Sequence, residues 1–298
     1  MTREGPQMAV YKRNYTAYAG TVTHVGTRVL VLARYAFEEA WSSKITVGLF
    51  IFCLLPCITS LLVIYLADNP IARALVGGRG QEMLAIDAKF FLKIQQTQSW
   101  LALVLASWIA PRMITFDLAD NALPILLSHP ISRFGYVFGK FIALVGSLSL
   151  ATWMPCLLLF FYQGYSSSQP WAMSNLQIAI GLLAGSVIWI SFLSLLGLAL
   201  SSWVKWRVVA TGAIFAAVFV PAGVGAIVSA VLRTRWGLLL NVPVMMTNLW
   251  QRLLGAPAPI NERLSVPTLA IAAMLSLASI VCFGMLNKRV RAREVVRG

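Results

Sequence analysis

Ionisable side chains are scarce in this sequence. Only 11% of its 298 residues are charged, whereas soluble domains usually contain about a quarter. There are two histidines, and no H-E-x-x-H, G-x-S-x-G or G-x-x-x-x-G-K-[ST] sequence. A metal-dependent or histidine-driven active site is therefore disfavoured, and we expect no cofactor in this chain. An intramembrane enzyme stays open as an alternative of a different class. Any ATP that powers the protein must bind to another chain.

Cysteine is also rare. The chain has four cysteines, Cys53, Cys57, Cys156 and Cys282, and all of them fall in apolar segments without the spacing of metal ligands. Thiols in such surroundings usually serve as small packing residues. We predict no metal site, and the cysteines carry no information about the redox compartment.

Apolar residues dominate what remains. They make up 59% of the chain and are concentrated in long runs, which is typical of membrane-spanning helices. Pro111 and Arg112 make the second run the weakest. We predict an all-α integral membrane protein, with a six-helix transmembrane domain over residues 44–287. The six runs are residues 45–67, 97–115, 136–162, 176–204, 208–231 and 266–286.

The positive charge is distributed as in a membrane protein. The net charge is +14, but most Lys and Arg residues fall in the N-terminal segment 1–43, two inner loops and the basic tail 288–298. An excess of Lys and Arg marks the cytosolic side of membrane proteins. We therefore expect no nucleic-acid partner. We predict a multi-pass protein of the inner (cytoplasmic) membrane with both termini in the cytosol, the tail lying beside anionic membrane lipids.

Two segments outside the spans have an amphipathic pattern. The first lies before the first span and predicts a helix on the cytosolic membrane surface, with an ordinary cytosolic extension as the alternative. Its apolar residues are Val25, Val29, Leu32, Ala36 and Ala40. The second lies in the later of two external segments, 68–96 and 232–265, and predicts an amphipathic or re-entrant helix that ends near Gly255. Its apolar residues are Val244, Met245, Leu249 and Leu253.

A polar elbow, FDLADNALPILLSHPISRFGYVFGK, separates the second and third runs. Asp120 or Asn121 can cap a short helix, Pro130 ends it, and Ser132 can cap the third span. Such a helix presents Leu123, Leu126 and Leu127 near the cytosol. A simple structured turn is the alternative, but exposed leucines favour a protein partner.

The stretch LLSHPISRFGYVFGK resembles the LL-x-x-P-[IV]-[ST]-R…GK signature of ABC-2 type permeases, the membrane subunits of type V exporter-like ABC transporters. The resemblance implies that residues 117–133 form a coupling helix in a groove of the nucleotide-binding subunit. The coupling residues it implies are Asp117, Asp120, Asn121, Leu123, Leu126, Leu127, His129, Pro130, Ser132 and Arg133.

The elbow departs from the family pattern ahead of the leucine pair. Asp117 occupies the position of a Glu, Asn121-Ala122 replace Gly-Thr, and Pro124 replaces a second Glu. An acidic contact is therefore expected at Asp117 and is absent at position 124.

The same resemblance implies which subunits form a complex with the chain. It predicts a permease that pairs with a second permease copy and with two ABC ATPase subunits, which carry the ATP and Mg²⁺. It favours export, and the uncharged span interiors favour a lipid-like or amphipathic substrate. The alternative within transport is an accessory permease for cofactor or membrane-protein maturation.

Small residues in the fourth and fifth runs are candidates for close helix packing. The family places the second and fifth spans at the two-fold axis. The resemblance therefore implies a dimer seam of Thr211, Gly212, Ala216 and Ala217, with Gly181 and Gly185 packing within one subunit. The alternative is the general enrichment of small residues in membrane helices.

Overall fold

The computed structural model of the chain describes residues 25–69, 85–119, 132–167, 170–204, 206–257 and 266–289. For residues 25 and 115–119 it describes the backbone alone. Most of the predicted elbow, residues 120–131, lies outside these ranges.

Helices account for the regular structure of the described ranges, which contain no strand. The all-α prediction is confirmed for this part of the chain. Its helices are α1 (Val25–Trp41), α2 (Lys44–Asp68), α3 (Ala88–Ala119), α4 (Arg133–Ala151), α5 (Trp153–Ser166), α6 (Trp171–Ser174), α7 (Leu176–Trp203), α8 (Arg207–Val231), a 3₁₀ turn (Trp236–Leu239), α9 (Val242–Leu254) and α10 (Thr268–Arg289).

Five helical segments in the described ranges are long and apolar enough to cross a membrane. They coincide with five of the six predicted runs. The remaining run, 97–115, lies inside α3, which is not among them, so the count of six spans stays a prediction. The five segments are Lys44–Asp68, Arg133–Ser166, Leu176–Trp203, Arg207–Val231 and Thr268–Arg289.

The third predicted run is broken where we predicted a continuous span. The helix stops at Thr152, whose backbone has φ −112° and ψ −92°, and resumes at Trp153. Pro155 explains the break, because it has no N–H to donate to the carbonyl of Ala151 one turn earlier. The Thr152 hydroxyl donates to the Leu148 carbonyl at 2.8 Å and satisfies one of the freed backbone groups.

Helix α3 hides its polar side chains inside the bundle. It begins where Asp87 accepts hydrogen bonds from the amides of Lys89 and Phe90, both at 3.0 Å. Gln95 and Gln98 are almost fully buried, and their amides donate to the Ser186 hydroxyl at 2.9 Å and the Cys53 carbonyl at 3.0 Å. Neighbouring helices therefore supply the partners that lipid cannot. This burial explains why the second run is less apolar than the other five.

Helix α9, in the segment that the sequence predicts to be external, packs into the bundle against α7, α3 and α8. Asn241 caps its start by accepting from the Val244 amide at 3.2 Å, and Gly255 ends it with a left-handed φ of 69°. Met245 and Leu249 are buried, as are Met246, Trp250 and Leu254. A helix lies in the predicted segment and ends at Gly255, whereas its place at the outer membrane interface stays a prediction. Its buried face is wider than an amphipathic surface helix requires.

Gly181 and Gly185 are the seat of α9 on α7. A Cβ atom on Gly181 would lie 2.7 Å from the carbonyl carbon and oxygen of Leu253, and one on Gly185 would lie 2.6 Å from Cδ1 of Trp250. Only glycine permits this approach. The prediction that these two glycines pack within one subunit is therefore confirmed.

Candidate functional site

The elbow between α3 and α4 is described only at its two ends. Seven predicted coupling residues lie outside the described ranges: Asp120, Asn121, Leu123, Leu126, Leu127, His129 and Pro130. Asp117 belongs to the last turns of α3, where the backbone alone is described. The coupling helix itself therefore stays a prediction, and Ser132 and Arg133 supply its described boundary.

Ser132 caps α4. Its backbone is extended, with φ −70° and ψ 154°, and its hydroxyl oxygen accepts a hydrogen bond from the Gly135 amide at 3.0 Å. The predicted cap is confirmed, and it makes the exit from the elbow a defined helix start. Arg133, the first helical residue, is exposed beside this cap. The chain therefore leaves the elbow in a fixed direction, with a positive charge at the boundary.

An exposed aromatic surface, which the sequence analysis missed, adjoins Arg133. Phe134 is 60% exposed, stacks on Phe138 at 5.5 Å between ring centroids and meets Phe283 of α10 edge-on at 6.4 Å. A cavity of about 170 Å³ opens here, lined also by Val137, Leu286 and Asn287. The four-residue spacing of the two α4 phenylalanines was the only sequence signal, and it does not reveal α10 as the neighbour.

Helix α1 packs along α4 just beyond the elbow. Its buried face consists of Ala33, Ala36 and Ala40. The facing residue of α4 is Gly139, where an added Cβ would lie 3.1 Å from Cδ2 of Leu32. Small residues on both helices permit this short separation. The apolar face that we predicted for the membrane surface therefore packs largely on protein.

A buried cation fastens the two helices together. Lys140 is 4% exposed, and its Nζ lies 3.9 Å from a carboxylate oxygen of Glu39 on α1. Farther along, the indole N–H of Trp41 donates to the Ser147 hydroxyl at 3.1 Å. Gly139 and Lys140 are the GK that closes the elbow signature, and we name Glu39, Gly139 and Lys140 the α1 clamp. The sequence signal was present, but its partner on α1 was not identifiable.

We expect Glu39→Gln to destabilise the protein modestly, because it removes the half-exposed carboxylate that lies near the buried Lys140 ammonium. The melting temperature of the purified chain in detergent should fall by about 1–3 °C. Glu39→Gln combined with Lys140→Met should restore it, because no charge then remains buried. The control is Glu38→Gln on the same helix, which removes an exposed i, i+4 partner of Arg34 and should leave the melting temperature nearly unchanged. Equal losses in both single variants would show that the clamp contributes nothing specific.

The predicted dimer seam is divided by the structure. Gly212 and Ala216 lie on the exposed face of α8, and a Cβ added to Gly212 meets no atom of the described residues within 4 Å. Thr211 instead donates to the Ser107 carbonyl of α3 at 3.0 Å, and Ala217 packs against the core of its own chain. Two of the four residues are therefore available to another molecule.

These features define a multi-pass, all-α membrane protein with a capped elbow between two of its long helices. A family model described as ABC-2 family transporter protein matches residues 30–281, and the chain belongs to this family. The match begins in α1 and ends in α10. No match was found among curated proteins. The chain is thus the transmembrane subunit of an ABC transporter, a class in which an ABC ATPase is the partner that hydrolyses ATP.

Proposed function

We propose that this chain exports a lipid-like or amphipathic substrate and is driven by two ABC ATPase subunits that engage residues 117–133. The observation that carries the proposal is the elbow's attachment, in which a segment with the family signature leads into the capped start of α4. A displacement of such an elbow would move α4, which follows it directly in the chain. It would also move α1, because the α1 clamp joins α1 to α4 through an ion pair and close packing. ATP binding and hydrolysis would thereby switch the subunit between two arrangements.

The distribution of charge supports the substrate class. In the five apolar segments the charged residues stand within about two turns of the ends, and long central stretches carry none. Ion-coupled carriers usually place ionisable groups at membrane depth. A substrate with a large apolar part is the one that such an interior accommodates without a charged partner.

The proposed topology has six spans, both termini in the cytosol and the inner membrane as location. Helix α3 has 32 residues and is about 48 Å long at 1.5 Å per residue, ample for a crossing. Arginine–tryptophan contacts recur at the proposed inner ends: Arg207 lies 4.1 Å from the Trp108 ring centroid, and Arg289 lies 5.8 Å from that of Trp203. Both residue types favour the membrane interface, and arginine favours the cytosolic side.

We also propose a homodimer with α8 at the two-fold axis. Gly212 and Ala216 supply a face on which a second helix can approach closely, and Trp100 of α3 stacks on Phe219 of α8 beside it. A single bundle offers half of a pathway, and two-fold symmetry is the common way to complete it.

Two substitutions at the elbow test the coupling proposal. Leu126→Asp and Arg133→Glu should each lower ATP-dependent transport at least about tenfold, because a new carboxylate in the ATPase groove would be desolvated without a cationic partner. Membrane insertion should be unchanged. The measurements are co-purification of the ATPase with the tagged chain and ATP-dependent transport in proteoliposomes.

The matched control is Lys288→Glu, which makes the same charge change as Arg133→Glu at an exposed site at the end of α10. It should leave both readouts near those of the native chain. If Leu126→Asp and Arg133→Glu retain the ATPase and transport normally, the elbow is not the docking site.

A further inference from the structure

A cavity of about 220 Å³ lies where α3, α7 and the external helix α9 meet. Sites that enclose drug-sized ligands are usually about 300–1,000 Å³, so this one has room for a small group or a headgroup. Three of its wall residues are tryptophans, and none is charged. The lining residues are Gln96, Ser99, Trp100, Trp189, Pro243, Met246, Thr247 and Trp250.

Two of the tryptophans form a rigid corner. The rings of Trp189 and Trp250 are nearly perpendicular, at 87°, with centroids 6.0 Å apart. The indole N–H of Trp189 donates to the Ser99 carbonyl, and that of Trp250 donates to the Gly185 carbonyl, both at 3.1 Å. Because the backbone occupies both N–H groups, the parts of the two rings that line the cavity offer a ligand aromatic carbon surface.

Trp100 supplies the third ring. It is 42% exposed and stacks on Phe219 of α8 at 5.7 Å, with ring planes only 7° apart. A tryptophan left this exposed on one side, and supported by a second ring on the other, is held in place without being buried. The three indoles therefore line the cavity as an aromatic cage.

The hydroxyl groups in the wall already donate their hydrogen atoms to backbone carbonyls. Ser99 donates to the Gln95 carbonyl at 2.6 Å, and Thr247 donates to the Pro243 carbonyl at 2.9 Å. Their oxygen lone pairs remain as weakly negative acceptors. A sugar would need more hydrogen-bond donors than this wall supplies, and an anion would find no cationic side chain in it.

We propose that the cavity binds a quaternary ammonium group. Such a cation has no N–H to satisfy, and indole faces attract it through their quadrupole. Lone pairs of Ser99 and Thr247 add to the attraction. The group can belong to a choline-type lipid headgroup or to a small free solute. The site stands independently of whether residues 117–133 engage an ATPase, so failure of either proposal leaves the other testable.

The direct test is calorimetric titration of the purified full chain in a maltoside detergent with tetramethylammonium chloride. Sodium chloride at equal ionic strength and tert-butanol, an uncharged analogue of similar shape, are the reference ligands. We expect saturable binding of tetramethylammonium alone. No saturable binding, or equal binding of tert-butanol, would overturn the proposal, since the latter would mean an apolar hole without cation recognition.

Variants locate the binding. Trp100→Leu should weaken tetramethylammonium binding about tenfold, since it removes an aromatic ring, and Trp250→Phe should weaken it about threefold, since a smaller phenyl ring replaces the indole. Trp206→Leu is the control, because Trp206 is exposed and is not part of the cavity wall. Trp250 is a core residue, and if its variant does not fold, the half-exposed Trp100 still decides the question. Undiminished binding by Trp100→Leu would overturn the cage.

A lipid comparison identifies the source of the group. The chain is placed in nanodiscs of phosphatidylcholine or of phosphatidylglycerol, and tetramethylammonium is titrated into each at about 0.5 M sodium chloride, which screens the surface charge of phosphatidylglycerol. If the headgroup is the ligand, phosphatidylcholine competes and the apparent affinity for tetramethylammonium falls at least about tenfold relative to phosphatidylglycerol. Equal affinities in both discs support a free solute. Absence of saturable binding in phosphatidylglycerol discs contradicts the site.

Discussion

Gly181→Leu is expected to displace α9 from α7. It should lower the melting temperature of the protein by more than any single substitution of a surface residue. The added side chain would have to begin 2.7 Å from the backbone carbonyl of Leu253, and backbone cannot rotate away as a side chain can. Overpacking of this kind costs about 1–3 kcal/mol and sometimes more. The gain from replacing a helical glycine, below about 1 kcal/mol, does not offset it.

The matched control is a glycine-to-leucine substitution at an exposed position, where no loss of stability is expected. Gly284 lies in α10 and is exposed, and within the described ranges no atom lies within 4 Å of an added Cβ. Gly284→Leu should therefore keep or slightly raise the melting temperature, because only the helix-propensity term remains. Thermal unfolding in detergent, followed by size-exclusion chromatography, compares the two. If both variants melt alike, the close seat of α9 on α7 is absent from the protein.

Ala216→Cys is expected to give an inter-chain disulfide across the two-fold axis in most of the population. The test uses a background in which the four native cysteines, all buried, are replaced. Membranes are treated with a mild oxidant, and covalent dimer is scored on non-reducing gels. Ala216 lies on the exposed face of α8 near Gly212, where small side chains let two helices approach within disulfide distance.

Two control positions define the result. Gly284→Cys is equally exposed but lies on α10, so it should stay monomeric if α8 alone forms the seam. Gly185→Cys should not cross-link either, because that position faces Trp250 of its own chain. Cross-linking at position 284 with none at position 216 would move the seam from α8 to α10.

Because only some of the four predicted seam residues are exposed, the structure also indicates which of them the dimer does not need. Thr211 is occupied by the Ser107 carbonyl within its own subunit, so its hydroxyl contributes to the packing of α8 on α3. The homodimer proposal therefore rests on Gly212 and Ala216 rather than on the whole stripe. A stripe of small residues in one helix can thus serve two interfaces, one on each side.

Local features of the chain were predictable from its sequence. Five of the six apolar runs coincide with long helices, since the length of an apolar run reports the thickness of the membrane it crosses. The Ser132 cap and the end of α9 at Gly255 were also predictable. Each depends on atoms only a few residues apart, so residue type and position were sufficient.

Helix partners were decided by the tertiary structure alone. The glycines of α7 and the small residues of α8 look alike in sequence, yet Gly185 meets Trp250, 65 residues away. A Cβ added to Gly212, in contrast, has no atom of the described part of the chain within 4 Å. In the same way, α1 has an apolar stripe that fits a bilayer equally well, and the close approach at Gly139 directs it to α4.

The same difference between local and distant contacts separates the two candidate sites. The elbow was recognised because its signature is a continuous stretch. The tryptophan cage was not, because its rings come from three helices and Trp189 is held by a carbonyl 90 residues earlier in the chain. Apolar pattern and capping depend on neighbours along the chain, whereas a cavity or a helix seat depends on which distant surfaces fit closely. That complementarity exists only once the helices are packed.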